Sequence, residues 1–263
     1  MMPDISTVVI TLLEGLSSGM LLFLAAAGLT LTFGVLGVLN FAHGSFYMFG
    51  AYFAYFTVSG YVPNFWVAVL VATVGVALIG TVVERLLIRP IYDHDHIFQV
   101  LLTFAIVLVL DNAARIMWGT DFRSVEIPAL LAFNVDILGR SYPAYNLFLI
   151  AVGSLVGVGI WFFFTKTHFG NVALAAAEDR EMTGAVGVNV PLVFTGVFLV
   201  GSALAGLGGA LATPYRSLTP VLGETIIIES FIVIIIGGLG SFRGAFVGAL
   251  LITLTKSFAF LTV

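Results

Sequence analysis

The stretch Leu39–Tyr52 reads LNFAHGSFYMFGAY, placing an asparagine, a histidine, a serine and two glycines within a few positions of one another. It lies in a chain of 263 residues that is 60% hydrophobic and only 9% charged. No water-soluble fold can hide that much apolar surface, so the natural solvent is a bilayer, where each polar side chain and each helix break carries a cost. The architecture has to accommodate this stretch at that cost.

A spanning helix needs about 20 mostly apolar residues. Such runs lie at Ser6–Leu39, Phe41–Ser59, Phe65–Ile88, Ile97–Trp118, Leu147–Thr165 and Leu192–Thr213, and a further apolar stretch starts at Thr225 and continues to the end. The expected fold is an all-α polytopic membrane protein, a single domain over 1–263, with about eight transmembrane or part-spanning helices including broken or re-entrant segments. The N-terminal MMPDISTVVI has no basic residue, and Asp4 and Glu14 are acidic, so no cleaved leader is expected. Short loops rich in Lys and Arg stay cytoplasmic. Arg85 and Arg89 therefore share a side with Lys166 and Arg180, and the mixed-charge connection Gly119–Tyr145 is external.

Upstream of the opening stretch, Gly28, Gly34 and Gly37 weaken a helix that has already run long, and Asn40 is well suited to cap a new one. The reading is a helix, a break, and a second helix from Phe41. Broken backbone at membrane depth is tolerated only against protein or a water-filled cavity, and the restarted N-terminus favours an anionic group. Asn40, His43, Gly44 and Tyr47 fall at i, i+3, i+4 and i+7 on one face, which is expected to line a translocation path. The alternative is that Asn40 is only a cap and His43 only a packing residue.

A second polar region is YRSLTPVLGETIIIESFIVIIIGGLGSFRG, Tyr215–Gly244. Its apolar piece, Thr225–Ile236, is too short to span and reads as a half-length or re-entrant helix, with Glu229 inside it lining the path or meeting a partner. Gly240, Gly244 and Gly248 recur every four residues, a helix-packing ladder. The third region is Thr167–Pro191, where Asn171 is expected to cap a helix over Val172–Thr183 that Gly184 or Gly187 ends. A short capped helix bearing Glu178-Asp179-Arg180-Glu181 between two spans suits docking into a soluble partner; the alternative is an interfacial surface helix.

No GxxxxGK[ST] loop and no Gly-Lys pair occur, so ATP hydrolysis is not expected in this chain. The chain has no cysteine, which excludes thiolate ligands and thiol nucleophiles. The run Asp93–His96 (DHDH) has no further ligands at metal-site spacing and reads as a solvated loop, and no serine has an adjacent base. A net charge of −4 over short loops argues against nucleic-acid binding.

The three polar regions, in this order, resemble the permease subunits of ATP-binding-cassette importers for branched-chain amino acids. LNFAHGSFYMFGAYFA is similar to that family's most recognisable run, AEDREMTGAVGVNV resembles its coupling segment, and IGGLGSFRGAFVGALL resembles its late glycine-rich run. The resemblance implies a heteromeric importer in a bacterial or archaeal cytoplasmic (inner) membrane. It also implies a second related permease, two cytoplasmic subunits that bind ATP and Mg, and an external solute-binding protein. Glu178, Asp179, Arg180, Glu181 and Gly187 are then the ATPase-coupling residues. Two departures stand out: Leu174 occupies a place where relatives often carry arginine, and many relatives continue for another hydrophobic segment.

Two other classes compete. An ion-coupled secondary transporter would use a carboxylate such as Asp111, which reads as a local i, i+4 pair with Arg115. A passive channel for a small solute such as urea or an amide is the other.

Overall fold

The computed structural model describes residues 4–262. Met1–Pro3, the head of the segment read above for a leader, and Val263 lie outside the described residues. In chain order the helices are α1 (Ile5–Leu36), α2 (His43–Phe56), α3 (Phe65–Val83), α4 (His96–Trp118), α5 (Ala144–Lys166), α6 (His168–Glu178), α7 (Arg180–Ala185), α8 (Val190–Ala212), α9 (Leu222–Gly237) and α10 (Phe242–Thr262). Among the described residues, six are long and apolar enough to cross a membrane: α1, α3 with its continuation to Ile91, α4, α5, α8 and α10. α2 has 14 residues and is continued by a π-helical turn to Tyr61, α9 has 16, and neither counts among these six. The chain is an all-α polytopic membrane protein, and six spans with two short helices make up the eight expected.

The break after α1 is built by local chemistry. Gly37 takes a left-handed conformation (φ 72°) that ends the helix, and its amide returns to the carbonyl of Phe33. Asn40 Oδ1 then accepts the Ala42 amide at 3.1 Å, and the His43 amide donates to Asn40 O at 3.2 Å. Because this turn uses residues 40–43, the second helix starts at His43 and not at Phe41.

Glycines bring the helices together. A side chain at Gly44 would meet the carbonyl of Gly223, one at Gly50 the backbone of Gly206, and one at Gly209 the backbone of Tyr47, so α2 lies directly against α8 and α9. Gly237 and Gly244 meet in the same way between α9 and α10, so the late ladder is a packing device. In lipid, where the hydrophobic effect does not drive helices together, such close approach supplies the van der Waals contact.

The two basic loops share one end. Arg89 donates to Pro191 O at 3.1 Å, and Arg180 approaches Asp93 at 3.9 Å. At the other end, Arg123 pairs with Leu218, and the connection after α4 contains an antiparallel hairpin of β1 (Asn134–Ile137) and β2 (Arg140–Pro143). Its turn residues Leu138 and Gly139 both have positive φ, 54° and 76°.

The Thr167–Pro191 segment differs from the single helix expected. Thr167 and not Asn171 caps α6, accepting the Gly170 amide at 3.2 Å. Asp179 takes an extended conformation, ends α6, and accepts the Met182 amide at 2.9 Å to begin α7. A carboxylate that can cap competes with helix continuation, and here it divides the segment in two.

Candidate functional site

A polar cavity of about 620 Å³ opens between α1, α9, α10, the start of α5 and the connection after α8. α1 contributes Glu14, Ser18 and Leu22 at i, i+4 and i+8, one stripe passing from charged to apolar. The segment after α8 contributes Tyr215 and Arg216, α9 contributes Glu229, and α10 contributes Thr253, Lys256 and Ser257. Lys256 Nζ and Glu229 Oε1 are 2.6 Å apart, an ion pair between α10 and α9. Glu14 lies 22 residues before the end of α1, about 33 Å along the helix. The cavity therefore opens at the end opposite the basic loops. Tyr142 on β2 lies near this mouth, where burial pushes its phenol above the ordinary value.

Of the residues expected along a path, Glu229 lines this cavity. Tyr47 is fully buried against Gly208 and Gly209, its hydroxyl has no hydrogen-bond partner among the described residues, and it lies within electrostatic reach of Arg216 and Glu229. Asn40, His43 and Gly44 are in the packed interior. His43 Nε2 donates to Ala25 O at 2.9 Å, while His43 Nδ1 and Asn40 Nδ2 are buried without partners among the described residues. Gly44 is covered by Gly223. In this conformation α1, α8 and α9 pack over His43, Gly44 and Tyr47 on α2, and Asn40 sits in the turn before that helix.

Asp111 does not form the helical pair with Arg115 that its spacing suggested. It is buried and accepts a hydrogen bond from Ser45 Oγ at 2.8 Å, joining α4 to the first turns of α2. A side chain at i+4 on an exposed face loses to a buried hydroxyl from a neighbouring helix.

The sequence reading missed a network at the basic end. Glu84 is fully buried and accepts from Arg89 Nε at 3.1 Å, from Tyr92 at 2.8 Å and from Thr195 at 2.8 Å. Burial, and then the charge of Glu84, raises the Tyr92 phenol. An acidic residue five before an arginine in a helix is a weak signal, and Thr195 is remote in sequence.

On the same end, Glu178, Asp179, Glu181 and Gly187 are exposed on and around α6 and α7. Arg180 turns inward, donating to Leu36 O at 2.6 Å and lying 4.9 Å from the ring centre of Phe194. Leu174, Met182 and Val186 are exposed apolar side chains beside the acidic ones, and Met182, Val186 and Val172 border a shallow groove of about 340 Å³. The i, i+4 spacing of Met182 and Val186 was the available clue to this surface.

The family described as branched-chain amino acid transport system / permease component matches residues 11–262. The chain belongs to this family of multi-pass permeases, and the cytoplasmic (inner) membrane is the setting that fits it. It is 29% identical to the high-affinity branched-chain amino acid transport system permease protein BraD of Pseudomonas aeruginosa, over 98% of this chain and 88% of that one. It is 25% identical to the LivH permease of the corresponding Escherichia coli system, over 93% and 83%. A similarity of 25% also extends to the fructose import permease protein FrcC of Rhizobium meliloti, over 65% of this chain and 47% of that one. No solved structure matches the chain significantly.

Proposed function

We propose that the chain is the permease subunit of an ATP-driven importer for branched-chain or related small hydrophobic amino acids. It forms the translocation path with a second, related permease. Two cytoplasmic subunits bind ATP and Mg, and an external solute-binding protein delivers substrate to the mouth of the polar cavity. The path starts at Glu229 and continues past Tyr47 along the face of Asn40, His43 and Gly44 when α9 moves off Gly44. The charged side chains of Glu14 and Lys256 sit within spanning helices, and facing lipid there is costly. The second permease covers that side.

One observation carries this reading: an acidic and apolar surface on two short helices, at the basic end, tied by Arg180 to the end of α1. Such a surface suits ATPase docking, through Glu178, Asp179, Glu181 and Gly187, with Arg180 transmitting the movement inward. An ion-coupled transporter has less support, because Asp111 is engaged by Ser45. The test is co-purification of the ATPase subunits with tagged permease. Reversal of both acids, E178K with E181K, should abolish association while leaving membrane insertion intact, since added positive charge reinforces an inside location. Wild-type association by the double variant, or ATP hydrolysis by the isolated chain, contradicts the proposal.

A further inference from the structure

The geometry points to a subsite within the polar cavity that holds an α-amino acid as its zwitterion, with the Arg216 guanidinium taking the carboxylate and the Glu14 carboxylate taking the ammonium. This deepens the proposed function and rests on it for the route by which substrate reaches the cavity.

Four charged side chains line the cavity, and two of them neutralise each other. Lys256 and Glu229 are paired at 2.6 Å. Among the described residues, the charged groups of Glu14 and Arg216 have neither an ion-pair nor a hydrogen-bond partner. One unmatched acid and one unmatched base therefore face a common space. In the chain alone Glu14 is exposed and Arg216 half-buried, so both charges are open to a ligand that enters the cavity, and a ligand that matches both carries one cationic and one anionic group. A carboxylic acid alone leaves Glu14 uncompensated, an amine alone leaves Arg216 uncompensated, and urea or a sugar leaves both.

The donor and acceptor chemistry agrees. The planar guanidinium fork fits a carboxylate bidentately. An ammonium has three donors, so it needs acceptors besides Glu14. Ser18 Oγ directs its proton to the backbone carbonyl of Glu14 at 2.9 Å, which leaves the oxygen's lone pairs to accept. One turn further along α1, Leu22 provides an apolar contact for the amino acid's side chain. The volume, about 620 Å³, falls within the range of small-molecule sites.

The test measures binding of radiolabelled leucine to the assembled transporter in lipid nanodiscs, with the external binding protein omitted. Saturable binding is expected, displaced by other α-amino acids but not by isocaproate, which lacks the ammonium, or isoamylamine, which lacks the carboxylate. R216Q and E14Q should each weaken leucine binding roughly tenfold or more. Absence of saturable binding, equal displacement by the two half-analogues, or unchanged binding by both variants overturns the subsite. If a variant fails to assemble, the displacement series on the unaltered complex decides alone. ATP-dependent uptake, measured on that complex with the binding protein restored, separates the two claims. Uptake without cavity binding removes the subsite and leaves the proposed function, whereas cavity binding without ATP-dependent uptake does the reverse.

Discussion

Arg180 donates from Nη2 to the carbonyl oxygen of Leu36 across 2.6 Å, bonding the helix pair α6–α7 to the last residue of α1. The bond reaches the chain where Gly37 breaks the helix, six residues before α2 begins. Any displacement of α7 therefore acts on the junction that sets α2 against α8 and α9. Arg180→Ala removes this charge-assisted hydrogen bond, worth about 1.5–3 kcal/mol, and the contact with Phe194. ATP hydrolysis by the assembled complex should persist while uptake per ATP falls. Unchanged coupling in a reconstituted transport assay would show that α7 acts by another route.

Glu84 is the buried acceptor that holds the end of α3 to α8 through Thr195 and to Arg89 and Tyr92. Glu84→Ala should lower stability by about 1–3 kcal/mol, a figure reduced for the partial exposure of Arg89. Thermal unfolding of the purified permease measures it, and Glu84→Gln, which keeps an acceptor, should fall between the two.

The apolar runs made the spans legible, because bilayer thickness imposes helix length directly, and α9 was visible in the short run Thr225–Ile236, whereas Phe41–Ser59 read as a run of spanning length. The break at Gly37–Asn40 was legible from its glycines and from Asn40, although Asn40 forms the turn ahead of α2, and the N-cap is Ala42 rather than Asn40. Its extent was not, because the turn from Asn40 to His43 depends on a side-chain bond to the Ala42 amide. Thr167 was not read as a cap for α6, since Asn171 was, and Asp179 was read as one of four charges on a single helix; backbone direction decided both. Glu229 was singled out from its place in an apolar helix, yet its partner Lys256 is 27 residues away. Glu14 and Arg216 were missed as cavity residues because only the packing of α1 beside the α8–α9 connection brings them to one space.

Gly44 lies where a methyl group would strike the Gly223 carbonyl, whereas a methyl at Gly60 meets nothing within 4 Å among the described residues. Gly44→Ala should destabilise by about 1–3 kcal/mol, the usual range for overpacking, and Gly60→Ala should be nearly neutral. Melting temperatures of the two variants in one detergent make the comparison. Equal values would mean that α2 and α9 are not in close contact.

The Lys256–Glu229 pair joins α10 to α9 at the cavity wall. Glu229→Lys and Lys256→Glu should each impair uptake through like-charge repulsion, and the combined exchange should recover part of it. Uptake assays on the single and double variants form the cycle. A double variant no better than the worse single would show that the residues act separately.

The central claim is that this permease moves substrate only as part of an ATP-driven assembly. Its most direct measurement is leucine accumulation in proteoliposomes containing the permease pair, the ATPase subunits and the external binding protein, with ionophores present to collapse every ion gradient. Accumulation should require ATP and Mg on the ATPase side, survive the ionophores, and vanish when the ATPase subunits are left out. Accumulation without ATP that is driven by an ion gradient and abolished by ionophore would contradict the account.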